Sequence, residues 1–503
     1  MRQFFNCLNQ YYSGQIGVED ALIKKLEKEG LNVLPAFGYP GYKIVENFLL
    51  DNRGDSRVDA IISFVGTHMS SFEGGKDLLN KLGVPILNLI TIFGKTEEEW
   101  RASKQGLSPE EISFQFSISE IFGLIQPSVV GAKKPVIDTA TGFQVTVRHP
   151  ITENVERLVD RIKAWINLQR KENSRKKVAL IYYNYPPGKQ NIGASYLNVF
   201  DSIEEILKKM RSEGYSVGDQ SIEKDVLLEN ALSNGRNVAN WAAGKLEEMV
   251  KSGQVILLPL DEYQGWFERL PAEFRESVIR DWGRVEESDV MIWHDKDKDE
   301  KYLVIPGTER GNVIIAPQPI RGWSQNKQAL YHSSTLAPHH QYVAFYLWLK
   351  FTFGADAIIH VGTHGTLEWL PGKQAGLSLS DPPEALIQDL PDIYPYIVDV
   401  VGEGLQAKRR GAAVIIDHMI PPLKKGGLYK EYAELNELIS DHDVALQKNP
   451  TLAKEYVEEI KKTVLQLGLA KDLEIEERIK EKGIDHETIH EIEEYLQELK
   501  EKN

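Results

Sequence analysis

Short apolar runs rich in β-branched residues recur along this chain, most of them separated by segments with helical spacing. Val58–Val65, Val84–Phe93, Lys177–Tyr183, Val313–Ala316, Asp356–Val361 and Ala412–Ile416 are such runs. Runs that are apolar throughout read as strands covered on both faces, and strands separated by helices cross over to pair in parallel. The alternation therefore predicts an α/β, multidomain protein built on doubly wound, largely parallel sheets.

The spacing also predicts where the chain divides. Residues 1–150 form an N-terminal α/β section, in which Pro127 to Arg148, alternating over Phe143–Val147, reads as a hairpin or an ordered connection. Residues 151–176 are a helix and linker: Val155, Leu158, Val159, Ile162 and Ile166 recur at helical spacing, and the basic run from Arg170 to Lys177 is a solvated link. Residues 177–428 form an α/β core, to which Val255–Leu258 and Val290–Trp293 add strands. Residues 429–503, rich in Glu, Lys, Leu and Ile, are a charged helical tail interrupted at Gly483. One echo is present: DAIISFVGTH at 59–68 matches DAIIHVGTH at 356–364 apart from one insertion and one substitution. Chance, shared strand-end chemistry and gene duplication all account for a match this short.

A formal net charge of -15 over 503 residues argues against nucleic acid as a partner, because the basic residues are interleaved with acids. The single cysteine, Cys7, excludes disulfides and thiolate clusters and suits a reducing, cytoplasmic compartment. No membrane span is predicted. The most apolar stretch, Tyr342–Leu349, stops at Lys350.

Chemistry concentrates between Phe353 and Ser378. After the strand Asp356–Val361, Gly362 and Gly365 break the run, so His360, Thr363, His364 and Glu368 fall in or beside a loop at a strand's carboxyl end, where α/β proteins bind ligands. Five of the twelve histidines lie from His332 to His364, a cluster suited to a metal or to protons. His339 and His340 are adjacent and cannot both face one site on a regular element; for each, a structural role stands beside a functional one. His360 and His364 have the separation of a helical zinc motif, but Val361 replaces its glutamate and the glycines oppose a helix. Glu368 reads as ligand or base, or as the partner of Lys373. Six residues separate Gly365 from Gly372-Lys373, where a phosphate loop has four, so any ATPase must be another chain. Gln318, Arg321 and Trp323 share one loop and suit a flat, carboxylate-bearing ligand, although Arg321 equally suits a local acid.

Three segments carry a family resemblance: IAPQPIRGW at 315–323, LAPHHQYVAFYLWL at 336–349 and IIHVGTHGTLEWLPGKQAGLS at 358–378. They resemble the large subunit of cobaltochelatase and the H subunit of magnesium chelatase, and YYNYPPGKQNIGAS at 182–195 and KRRGAAVIIDHMIPPL at 408–423 are similar to flanking motifs of that family. The resemblance implies an ATP-dependent chelatase subunit that binds a tetrapyrrole and houses insertion of a divalent metal, while separate AAA+ subunits hydrolyse ATP. On that basis Glu368, His360 and His364 are the expected catalytic and metal-handling residues. Gln318, Arg321, Trp323, His339, Trp369 and Lys373 are the expected substrate contacts, with Arg321 and Lys373 on ring carboxylates. LEWLP at 367–371 is closer to the cobalt branch, and a histidine-rich setting suits Co2+ better than Mg2+. Family members are typically longer, so a split gene, a fragment and a compact paralogue are all open, and a second polypeptide is an expected partner. Three other readings stand: a magnesium chelatase H-type subunit that inserts Mg2+ into protoporphyrin IX, a tetrapyrrole-binding module without insertion activity, and an α/β metal hydrolase.

Overall fold

The structure is a computed structural model and describes residues 2–6, 15–37, 41–64, 75–183, 192, 197–235, 237–238, 243–321, 333–362, 365–395, 401–417, 430–473 and 475–502. The chain divides into two compact units, residues 1–418 and 419–503.

The first unit holds two six-stranded sheets. One comprises β1 (Arg2–Asn6), β2 (Val33–Phe37), β3 (Ala60–Ser63), β4 (Ile86–Thr96), β5 (Ile125–Ile137) and β6 (Gln144–Pro150), in the order β2-β1-β3-β4-β5-β6. Its pairs are parallel up to β5, and β6 closes the edge as the antiparallel arm of the expected hairpin. Next in the chain come β7 (Val178–Tyr182), β8 (Val255–Pro259), β9 (Ile292–Asp295), β10 (Glu300–Pro306), β11 (Thr308–Arg310) and β12 (Val313–Pro317). After them run β13 (Ala357–Val361), β14 (Asp392–Pro395) and β15 (Val414–Ile416). The second sheet has the order β11-β12-β7-β13-β14-β15, parallel except for β11. The strands expected near 255 and 290 are not part of it. β8 and β9 flank β10 in a separate antiparallel sheet, because hydrogen bonding from β10 on both sides holds them there.

Both large sheets have the same internal order. Numbered along the chain, the parallel strands of each lie in the order 2-1-3-4-5, the doubly wound pattern whose ligand crevice opens between strands 1 and 3. The sequence echo falls on the third strand of each, β3 and β13. The helix Thr152–Arg170 links the two sheets, and at its end Arg170 chelates Asp59 while Lys171 holds Asp356 at 2.7 Å. These aspartates begin the two copies of the echo. The echo thus falls at the same place in both sheets, where shared strand-end chemistry accounts for it as well as duplication does.

Apolar periodicity explains the packing. Val155, Leu158, Val159, Ile162 and Ile166 lie on the face of the linking helix that packs against β3, β4 and β5. The helix His340–Trp348 is buried on every side and fills the largest core with Tyr342, Phe345 and Tyr346. Among the described residues no helix is long and apolar enough to cross a membrane.

The second unit is helical. Lys430–Lys448, Pro450–Gln466, Glu476–Lys482 and His486–Lys502 bury Leu435, Ile439, Ile460, Val464, Ile479, Ile492 and Leu496 in one core. Asn449 starts the second helix, its side chain accepting from the Leu452 N–H, with Pro450 at the first helical position.

Candidate functional site

The site lies at the carboxyl end of β13, beside β7 and β14. β13 is buried along most of its length, and at its end His360 points into protein rather than solvent. Its Nδ1 lies 2.7 Å from Asp392 Oδ1 and its Nε2 3.1 Å from the Tyr346 hydroxyl, so both nitrogens are engaged. The Tyr394 ring stacks on the imidazole, with centroids 5.0 Å apart and planes 18° from parallel. Burial acts to lower the His360 pKa, but the charge and hydrogen bond of Asp392, with the charge of Glu368, outweigh it and leave the pKa raised. A metal reaching Nε2 would have to displace Tyr346.

Glu368 sits in the turn after the glycines and is only 1% exposed. Its Oε1 accepts from the Gly365 N–H at 3.0 Å and from the Tyr394 hydroxyl at 3.4 Å. One tyrosine therefore touches both the carboxylate and the imidazole. Gly365 makes the close approach possible, because a Cβ there would stand 2.6 Å from Gln318 Oε1 and 2.8 Å from the Tyr394 hydroxyl. Gly365→Ala is expected to cost about 1–3 kcal/mol through this overpacking. A urea midpoint equal to that of the parent would show the contact to be unimportant.

Gln318, just past β12, knits the floor of the site. Its Oε1 accepts from the Thr366 N–H at 2.8 Å and its Nε2 donates to the Tyr346 and Tyr342 hydroxyls at 2.7 and 3.3 Å. Tyr342 in turn meets Thr366 Oγ1 at 2.8 Å. A continuous hydrogen-bonded chain thus runs from Asp392 through His360, Tyr346 and Gln318 to the backbone of the Glu368 turn.

The expected cations are committed to the protein. Arg321 donates to the carbonyls of Trp369, Ser333 and Leu336, and burial lowers its pKa to about 10. Lys373 is buried, 3.5 Å from Asp381 and 3.2 Å from Ser378 Oγ, so its partner is Asp381 rather than Glu368. His339 caps the helix His340–Trp348: its Nδ1 accepts from the Tyr342 N–H and its Nε2 donates to Ile320 O at 2.6 Å. Burial lowers the His339 pKa to about 4, so it is neutral at physiological pH. His340 bonds to Tyr263 and to Gly283 O, away from this network. Trp369 is partly exposed beside Glu368. Trp323 and His364 lie outside the described residues, and among those described no three His, Cys, Asp or Glu side chains gather as a metal site.

Four site residues escaped the sequence reading: Asp392, Tyr394, Tyr346 and Arg410. Arg410 donates to the carbonyls of Glu368, Leu370, Pro371 and Lys373, so a single guanidinium shapes the turn that carries Glu368. A signal existed for two of them: Tyr346 lies in the segment 336–349 and Arg410 in the segment 408–423 that carry the family resemblance, whereas Asp392 and Tyr394 lie on a strand too short to announce itself.

The sequence signature of the CobN/Magnesium Chelatase family matches residues 5–503. The aerobic cobaltochelatase subunit CobN of Sinorhizobium sp is 31% identical over 503 residues, which cover 99% of this chain and 38% of that protein. The chloroplastic magnesium-chelatase subunit ChlH of Oryza sativa subsp. indica is 31% identical over 475 residues, covering 92% of this chain and 32% of its own. Among solved structures, the catalytic subunit of cobaltochelatase from Mycobacterium tuberculosis superposes with a TM-score of 0.69 at 28% identity, over 98% of this chain and 40% of that one. The chain thus spans well under half the length of these relatives.

Proposed function

The chain belongs to the CobN/magnesium chelatase family, and from that premise we propose that it forms the tetrapyrrole-binding, metal-inserting part of an ATP-dependent chelatase. The observation that carries the reading is the setting of Glu368, a buried carboxylate held by the Gly365 N–H and the Tyr394 hydroxyl, with the His360–Asp392 pair behind it.

Insertion of a divalent metal exchanges its water ligands for four ring nitrogens, and it breaks two pyrrole N–H bonds and releases two protons from a free-base porphyrin, or breaks one and releases one from a free-base corrin. A carboxylate beside the ring nitrogens can take a proton and guide the cation. We assign those roles to Glu368, with His360 as the group behind it that stores a proton between Asp392 and Tyr346. Arg321, Lys373, Gln318 and His339 act as framework, and Trp369, with Trp323, is the aromatic candidate for ring contact. His364 is assigned to metal delivery from its position in the HVGTHGTLEWLPGK motif.

Cobalt is the favoured metal and a corrin-type precursor in cobalamin biosynthesis the favoured ring, supported by LEWLP at 367–371 and by the histidine content of the region. ATP is hydrolysed by AAA+ partner subunits in the cytoplasm. The alternatives are a magnesium chelatase H-type subunit acting on protoporphyrin IX, supported by the likeness to the magnesium-chelatase subunit, and a ring-binding paralogue without insertion activity.

Absorbance titration with metal-free corrin and porphyrin rings tests the reading. A saturable spectral shift is expected, followed by metal insertion on adding Co2+, ATP and the partner subunits. A shift without insertion favours the paralogue, and no shift with any ring sinks all three.

A further inference from the structure

The carboxylate grip expected of Arg321 and Lys373 has another candidate. Arg157 lies on the linking helix one turn before Arg161, beside a crevice between that helix and the segments around residues 377–384 and 409–412. Arg161 is fully engaged, chelating Glu384 through two 2.8 Å bonds and donating to Gln388 O. Arg157 is not: its buried Nε has no hydrogen-bond partner, and its ion contact to Asp389 is 3.9 Å long, with Asp389 already paired to Lys350.

Charge in the crevice is unbalanced. Arg157, Arg161, Arg409 and Arg410 line it together with one carboxylate, Glu384. Glu384 matches Arg161 and Glu120 matches Arg409, whereas Arg410 holds only carbonyl oxygens. Burial, with the neighbouring Arg161 charge, lowers the Arg157 pKa despite Glu384 and Asp389. Asn154, also in the lining and 7% exposed, leaves Oδ1 without a partner, an acceptor for any donor next to the incoming anion. The crevice encloses about 400 Å³ including its open mouth. The planar guanidinium fork of Arg157 matches a planar carboxylate, which it can meet with two parallel N–H donors.

We propose that this crevice is a carboxylate-binding slot and that Arg157 is the residue that grips the anion. The carboxylate comes either from an acidic arm of the ring or from an acidic side chain of a partner polypeptide. The first source rests on the ring-binding reading above; the slot itself does not.

Thermal unfolding of the whole chain in acetate against chloride, at matched ionic strength, reads the slot directly. At ten times its dissociation constant, acetate is expected to raise the midpoint of the parent by roughly 1–2 °C. Arg157→Gln is expected to abolish that shift while keeping or raising the midpoint without acetate, because it removes a poorly matched, partly buried charge. Arg157→Lys, which keeps the charge but not the fork, is expected to weaken acetate binding about tenfold and serves if the glutamine variant does not fold. An equal acetate effect in parent and variants, or none in the parent, overturns the slot. Ring titrations then separate the sources. A ring with free carboxylates that binds Arg157→Gln about tenfold more weakly, while its methyl ester binds parent and variant alike, identifies the ring arm. Unchanged ring binding in a variant that has lost the acetate shift assigns the slot to a polypeptide.

Discussion

Glu368→Gln is expected to lower ATP-dependent metal insertion by roughly 10²–10⁴-fold, the range associated with removing a positioned proton-transfer group. Ring affinity is expected to stay within about twofold of the parent. Glutamine keeps an oxygen for the Gly365 N–H and can still meet the Tyr394 hydroxyl, so the 3.0 Å and 3.4 Å contacts that hold the side chain survive. Its backbone grip by Arg410, 2.6 Å to the Glu368 carbonyl, does not depend on the side chain at all. What glutamine removes is the negative charge and the capacity to take a proton. Single-turnover insertion followed by absorbance, beside ring titration and thermal unfolding, separates the cases. Insertion at the parent rate would make Glu368 a scaffold residue, and a large fall in ring affinity would make it a ring contact rather than a base.

The parts of the fold legible in the sequence are those whose signal is local. β3, β4, β7, β12 and β13 are apolar over successive residues and announce buried parallel strands. β14 is four residues, DIYP, ending in a proline, and reads as loop; only pairing with β13 and β15 makes it a strand. β8 and β9 were visible as strands but not as members of a separate sheet, because their partner β10 pairs Val255 with Pro306, across more than one intervening helix.

The same distinction governs the site. His360 and Glu368 stand out because glycines follow a buried strand, which is a local pattern. Tyr394 and Arg410 reach Glu368 from 26 and 42 residues further along the chain, and nothing within the motif names them. Arg321 and Lys373 show the converse: a cation beside a motif looks available until its partners are known, and here the partners are backbone carbonyls and an aspartate eight residues on. Arg157, in a helix whose apolar periodicity masks its polar face, carries no motif signal.

Asp392→Asn is the second change expected to have a large effect, and its sign depends on pH. The groups facing His360 are Asp392 and Tyr394 from β14, Tyr346 from the neighbouring helix, and Glu368 from the turn. Burial disfavours the imidazolium, yet Asp392 and Glu368 leave the His360 pKa above its ordinary value of 6.5. A group whose folded-state pKa is raised contributes stability that is fully present below the unfolded pKa and is lost as pH rises through the folded pKa. The Asp392–His360 pair should therefore stabilise the protein most below about pH 6.5. Asparagine keeps an acceptor for Nδ1–H but not the charge, so burial then prevails and the variant must fold with a neutral imidazole. The deficit grows by about 1.4 kcal/mol for each pKa unit lost, towards the ~3–5 kcal/mol that breaking a buried pair costs. It should narrow as pH rises past the raised His360 pKa, where the parent imidazole is neutral as well. There Asp392, with Oδ2 buried and unpartnered, becomes a burden that asparagine relieves. Denaturation of parent and variant at pH 5.5 and pH 9 decides it: a deficit of equal size at both would mean that His360 is never charged in the fold and that the pair is only a hydrogen bond.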